Sequence, residues 1–412
     1  MDAEKTRVYL ERSKSSPINL WLDRDDGLLP HDPFFQIGPH SIGRLKYLLV
    51  STMSDCLQEI ADHLSHPAPL LEDLTIIGSS GDPEINPVLA TTLFGGDLSS
   101  LRVLHLQSIR TRLPWRNMVN LTSFSLHYVL RPRVSVKQLL DFFESAPHLL
   151  DIDLSFAAPA FGAQDGRLVS LGRLKKLNFY GYQPPSLLLD HLLIPAGAKV
   201  TTDLDLPGPN IEEHLPRSLD NLRNISNFTK ISLRFGCGVS MRFTGPNGEV
   251  CMTSSPGSGA TRSVIRSLAQ FDISTTKSLE ILGGGALSKD LCQALPYLNN
   301  LRTLTLSLCK SLPSFILALY PGLDPVNPIV CPKLEGLVFR TKQRFDIESM
   351  VMVAAARASG GAPLKSVRII NCGVLVSSEG VRELLKYVLC VETSLEVSDE
   401  DLNYGEGSDG EE

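Results

Sequence analysis

One string recurs down the chain: a leucine, two residues, an apolar residue, one residue, and another apolar residue. It stands at Leu45-Leu48-Val50, Leu71-Leu74-Ile76, Leu101-Leu104-Leu106, Leu121-Phe124-Leu126, Leu149-Ile152-Leu154 and Leu174-Leu177-Phe179. Later copies are Phe228-Ile231-Leu233, Leu301-Leu304-Leu306, Leu334-Leu337-Phe339 and Leu364-Val367-Ile369. From Leu45 to Leu174 the first leucines are 26, 30, 20, 28 and 25 residues apart. A single string is unremarkable in a leucine-rich chain, but a sustained period requires a repeating structural unit. Degenerate copies are expected near Thr202–Leu206 and near Leu279-Leu282. The last two places of each string predict a short strand. Side chains alternate along a strand, so those two apolar residues share one face and the residues between them share the other.

The intervening segments favour helix. Residues 55–64 place Leu57, Ile60, Ala61 and Leu64 on one side, and Val136 to Ser145 does the same with Val136, Leu139, Leu140 and Phe143. Glu348 to Ala358 and Ser377 to Val388 are further candidates, the latter with Ser378 as its cap. A strand, a loop and a helix cannot cover their own apolar faces, so neighbouring units must stack. The predicted fold is an α/β leucine-rich-repeat solenoid, a horseshoe or arc with parallel strands on its concave face and helices on its convex face. It forms one domain over residues 1–396. Cys309 and Cys372 take the place where the repeat favours Asn or Cys, and read as structural. Residues 239–259 break the period and predict an inserted β-hairpin turning through Asn247-Gly248, placed on one rim.

Charge narrows the partner class. Eight of the 45 acids lie from Glu396 onward with no base among them, and residues 397–412 read as an acidic disordered tail. Without those eight acids, 37 remain against 39 bases, a balance of +2, which lacks the basic stripe of a dedicated nucleic-acid binder. No apolar run approaches the roughly 20 residues that span a bilayer, and the opening residues lack a secretory signal. The eight scattered cysteines form no CxxC pair, so no zinc cluster is expected. The reading is a chain of the cytoplasm or nucleus with reduced thiols, binding neither nucleic acid nor membrane.

No catalytic constellation stands out: there is neither a G-x-S-x-G elbow nor a phosphate loop. Asp151 and Asp153 share a strand face, but an open sheet offers no desolvated cleft for acid–base work. The chain is therefore read as non-enzymatic, without cofactor or metal. The candidate site is the strand face itself, and the candidate protein-binding residues are His105, Asp151, Asp153, Lys176, Asn178, Tyr180, Lys230, Arg234, Arg340 and Arg368. Tyr and Arg are types enriched at interface anchors, and the two aspartates offer a charge that orients a basic ligand segment.

At Leu139–Leu154 the wording LLDFFESAPHLLDIDL resembles the leucine-rich-repeat region of fungal F-box proteins, and Tyr9–Leu20 resembles the segment that follows the F-box and its linker. The resemblance covers most of the chain, although no F-box is visible upstream of Thr6. It implies a protein that recruits targets to a cullin–RING ubiquitin ligase, with an adaptor as partner only if an F-box lies upstream. The alternative is a stand-alone repeat scaffold or regulator without ligase function.

Overall fold

The computed structural model describes residues 3–24, 33–53, 57–79, 88–89, 93–111, 118–128, 134–156, 166–182, 184–204, 211–225, 227–236, 238–255, 268, 273–283, 292, 294–307, 312–320, 329–341, 345–371 and 376–394. The fold is mixed α/β with mostly parallel strands, in two compact units: Met1–Asp203 with Leu215–Arg223, and Leu204–His214 with Asn224–Glu412.

In the first unit the sheet strands follow chain order: β1 (Ile18–Arg24), β2 (Leu45–Met53), β3 (Asp73–Ser79), β4 (Val103–Gln107), β5 (Ser123–His127), β6 (Asp151–Ser155), β7 (Lys176–Gly181) and β8 (Lys199–Leu204). Pairing from β1 through β7 is parallel and keeps the repeat in step, with Leu74 opposite both Leu48 and Leu104, and Phe124 opposite both Leu104 and Ile152. The second and third apolar places of every string in this unit are buried, as their alternation predicts.

The structure lengthens the repeat by one place. The first leucine of each string donates its N–H to the carbonyl three residues earlier: Leu71 to Ala68, Leu101 to Leu98, Leu121 to Met118, Leu149 to Ala146 and Leu174 to Leu171. Each of those earlier residues is buried. The residue after the leucine then bonds to the preceding unit, in a relay from Glu72 to Lys46, Arg102 to Glu72, Thr122 to Arg102, Leu150 to Thr122 and Lys175 to Leu150, at 2.7–2.9 Å. The turn thus satisfies the backbone polar groups that its own burial would otherwise orphan.

Helices lie between the strands. Helix α1 (Ala3–Arg12) precedes β1, α2 (Leu57–His63) follows β2, and α3 (Val136–Ser145) follows β5. Ser135 caps α3 reciprocally with Gln138, a capping box. Phe142 and Phe143 of α3 pack on Phe124, the nearer ring pair at 4.4 Å. The buried Arg44 guanidinium ties the end of α1 to β2, donating to the carbonyls of Leu10 and Lys14 and to the Ser13 hydroxyl.

The second unit orders its strands β11-β10-β9-β12-β13-β14-β15-β16, namely β9 (Lys230–Phe235), β10 (Val239–Gly245), β11 (Gly248–Ser254), β12 (Ser278–Leu282), β13 (Thr303–Ser307), β14 (Gly336–Thr341), β15 (Ser366–Asn371) and β16 (Cys390–Ser394). From β9 and β12 to β16 all pairs are parallel. The hairpin exists but is corrected in two respects. Gly245 pairs with Gly248, so the turn residues are Pro246 and Asn247, one place earlier than the Asn-Gly signal suggests. It is also not a rim insertion, since β10 pairs antiparallel with β9 along its whole length and belongs to the sheet. Gly245 has no room for a Cβ, which would meet the Phe228 backbone.

The degenerate copy near Leu279 also shifts. Leu279 and Ile281 are the two buried strand places, and the leading place is Thr276, fully buried and bonded back to Ile273. Helices α4 (Leu312–Ala318), α5 (Ile347–Ser359) and α6 (Ser378–Leu384) complete this unit. The cap of α6 is Ser377, not Ser378: its side chain accepts from the Gly380 N–H. Arg357 on α5 is 0% exposed and donates to the carbonyls of Val330 and Cys331, just ahead of β14. Cys309, Cys372 and residues 397–412 lie outside the described residues.

Candidate functional site

In the first unit the outward side chains form three rows across the strands. The middle row runs Trp21, Leu49, Thr75, His105, Ser125, Asp153 and Asn178, each opposite the next in register. Toward the strand ends lie Gln107, His127, Ser155 and Tyr180, and toward the strand starts lie Tyr47, Asp73, Val103, Asp151 and Lys176. Of the sequence candidates, the structure brings His105, Asp151, Asp153, Lys176, Asn178 and Tyr180 onto this face.

Asp153 is the hub. Its Oδ1 accepts from His127 Nε2 at 3.1 Å and from the Ser155 hydroxyl at 2.7 Å, and its Oδ2 accepts from Asn178 Nδ2 at 3.1 Å. Burial by itself raises this carboxyl, but the hydrogen bonds from His127, Ser155 and Asn178 outweigh it and hold it down at about 2. His105 stands edge-on to His127, ring centres 4.8 Å apart, and burial followed by the charge of His127 lowers its pKa. The assembly is a half-buried, negatively biased set of donors and acceptors fixed by neighbouring strands. Asn178 departs from expectation: it is only 6% exposed, because its amide turns onto Asp153. It positions the carboxylate instead of standing in solvent as a contact residue. Asp151 is exposed opposite Lys176, and Tyr180 is exposed opposite Ser155.

An aromatic ladder borders this network. Just past β5 and β6, Tyr128 and Phe156 adopt left-handed backbone, φ 51° and 53°, as does Ser108 past β4. Each donates its N–H to the next strand: Ser108 to His127, Tyr128 to Ser155 and Phe156 to Tyr180. A bulky L-residue in this region costs on the order of 1–2 kcal/mol, yet aromatic residues occupy two of the three places. Their rings stack at 4.9 Å and 11°, and Phe156 also meets Tyr182 at 5.2 Å. Tyr128 and Tyr182 remain about half exposed.

The other end of the same face escaped the sequence reading. Trp21 is 73% exposed and edge-on to Tyr47 at 6.0 Å. Leu49, opposite Trp21, and Ile77, one diagonal step away on β3, are half-buried. Residues Ile18-Leu20-Leu22 alternate properly for a strand, but they lack the leading leucine of the string.

The remaining candidates fall in the second unit. Lys230 pairs with Glu280 at 3.0 Å and Arg368 with Glu392 at 3.3 Å, so much of their charge is already answered. Arg234 and Arg340 are exposed, and no ion pair is formed by either among the described residues. The outward places Ser232, Ser307 and Ile370 in this unit are also closed to solvent. Among the described residues no cluster of His, Cys, Asp and Glu is arranged to hold a metal, and no helix is long and apolar enough to cross a membrane. No protein-family model matches the chain, and no curated protein matches it.

Proposed function

We propose that this chain is a leucine-rich-repeat protein-recognition module, and that it serves as the substrate-recognition part of an F-box protein, delivering a target to a cullin–RING ubiquitin ligase. The observation that carries the first part is the Asp153 network set in register beside exposed aromatic rings on one strand face. Parallel pairing fixes the spacing of these groups, so a ligand meets a surface that needs little ordering on binding. The composition suits protein recognition: aromatic anchors supply area, and a satisfied polar hub supplies direction. The adaptor role rests on the wording of Leu139–Leu154 and Tyr9–Leu20 alone.

Affinity purification of the complete gene product, with quantitative mass spectrometry, tests both parts. Recovery of a ligase adaptor with a target that is lost on His127→Ala or Tyr128→Ala supports the proposal. A target recovered without adaptor restricts the chain to a scaffold. A target retained at full yield by both variants removes this face from the account.

A further inference from the structure

We infer that the β1–β3 end of the first unit's strand face binds a segment of a partner protein in which a lysine or arginine is flanked by apolar residues. The inference deepens the recognition reading and rests on it. Three observations converge. Trp21 is 73% exposed on β1 and lies T-shaped to Tyr47, leaving most of the indole side chain open to a ligand. An aromatic surface of this kind attracts an ammonium or guanidinium group through the negative face of its ring.

Asp73 lies directly opposite Tyr47 in register. One of its carboxylate oxygens is buried without a hydrogen-bond partner, and burial raises the group's pKa, with Thr75 offsetting this in part. A carboxylate desolvated in this way is stabilised by a cation brought alongside it. Asp23 adds a second negative charge at the outer end of β1, and among the described residues in the three outward rows of β1, β2 and β3 none is basic. The nearest base at the strand starts, Lys46, is paired with Glu72 at 3.6 Å.

The same patch carries Leu49 between Trp21 and Thr75, and Ile77 in the row of Asp23, so an all-polar cation would leave apolar surface uncovered. Strands stand about 4.8 Å apart. Trp21 and Asp73 are two strands apart across β2 and two residues out of register, hence roughly 12 Å apart, a gap that one long basic side chain flanked by apolar residues fills. Charge complementarity thus selects the occupant: an acidic aromatic patch takes a basic apolar segment.

The test uses the full chain and two fluorescein-labelled synthetic decapeptides, one alternating lysine with leucine and one alternating glutamate with leucine, read by fluorescence anisotropy. The lysine peptide is expected to bind and to weaken as salt is raised, while the glutamate peptide does not bind. Trp21→Ala and Asp73→Asn should each weaken the lysine peptide about tenfold. Asp23→Lys serves as a second variant, at an exposed place outside the buried layer, and should weaken it likewise. Equal binding of both peptides, unchanged binding by all three variants, or no binding of the lysine peptide overturns the inference. A dimer seen by sedimentation that dissociates on Trp21→Ala gives the patch to a second copy and also overturns it. If a co-purified target is lost on His127→Ala but kept on Trp21→Ala, the recognition reading stands and this inference alone falls.

Discussion

Leu104 and its neighbour His105 make the sharpest test of the strand phase. Leu104 is completely buried, opposite Leu74 on one side and Phe124 on the other. Replacing it by alanine removes apolar contact from three adjacent strands and leaves a cavity that parallel strands cannot close, a loss of about 3 kcal/mol. By contrast His105→Ala removes an edge-on ring contact from a half-exposed place, on the order of 0.5–1 kcal/mol. Repeat stacks open locally, so a single global midpoint blurs the difference. Hydrogen exchange read on peptides covering residues 71–79 and 118–128 resolves it. At 1.4 kcal/mol per decade, Leu104→Ala should raise exchange there about a hundredfold or somewhat more, and His105→Ala by less than tenfold. Leu104→Asp should exceed both, since it sets a carboxylate into the apolar layer. Equal acceleration by Leu104→Ala and His105→Ala would refute the assignment of inward and outward faces.

Acid should weaken the fold in two stages. His214 is buried, and burial pushes its pKa down to about 3 from 6.5, so between those values the unfolded chain binds a proton that the folded chain does not. Stability is then full above pH 6.5 and falls by about 1.4 kcal/mol per unit below it; His214→Leu should flatten that slope in denaturant titrations across pH. Asp153, held at about 2 against 3.8, adds a further loss as pH drops from about 4 toward 2, and Asp153→Asn should remove this part. Arg357→Met strands the carbonyls of Val330 and Cys331 and should cost several kcal/mol, read as faster exchange across residues 331–341. Gly283 turns at φ 75°, and a Cβ there runs into the Phe235 carbonyl; Gly283→Ala should lower the melting temperature, whereas Gly197→Ala, which meets nothing, should cost only the positive-φ strain.

The strands were the most legible part of the fold in the sequence, because the leucine string encodes both period and face. Val103–Gln107, Ser123–His127, Asp151–Ser155 and Thr303–Ser307 fall where the spacing puts them. Helix α3 was equally readable from its apolar stripe, although its Ser135 cap was not. The turn that precedes each strand was not, since Ala68, Leu98, Met118 and Ala146 share burial but no single residue type. Thr276 shows the same limit: a buried threonine in a leucine place leaves no apolar mark.

The site was half legible. Alternation placed His105, Asp151, Asp153, Lys176 and Tyr180 on one face, but it carries no information on which outward groups bond one another. Asn178 is hidden for that reason. The Tyr128–Phe156 stack depends on left-handed backbone at residues that ordinarily avoid it, which composition does not reveal. Trp21 and Tyr47 meet only because β1 pairs with β2, a register no motif announces.

The most direct measurement of the central claim places a photoreactive phenylalanine analogue singly at Tyr180, at Trp21 and at Glu144 of the exposed side of α3, in a chain recovered with its bound protein. The strand-face account predicts that the bound protein is cross-linked from positions 180 and 21 and not from position 144. Cross-linking from position 144 alone would contradict it.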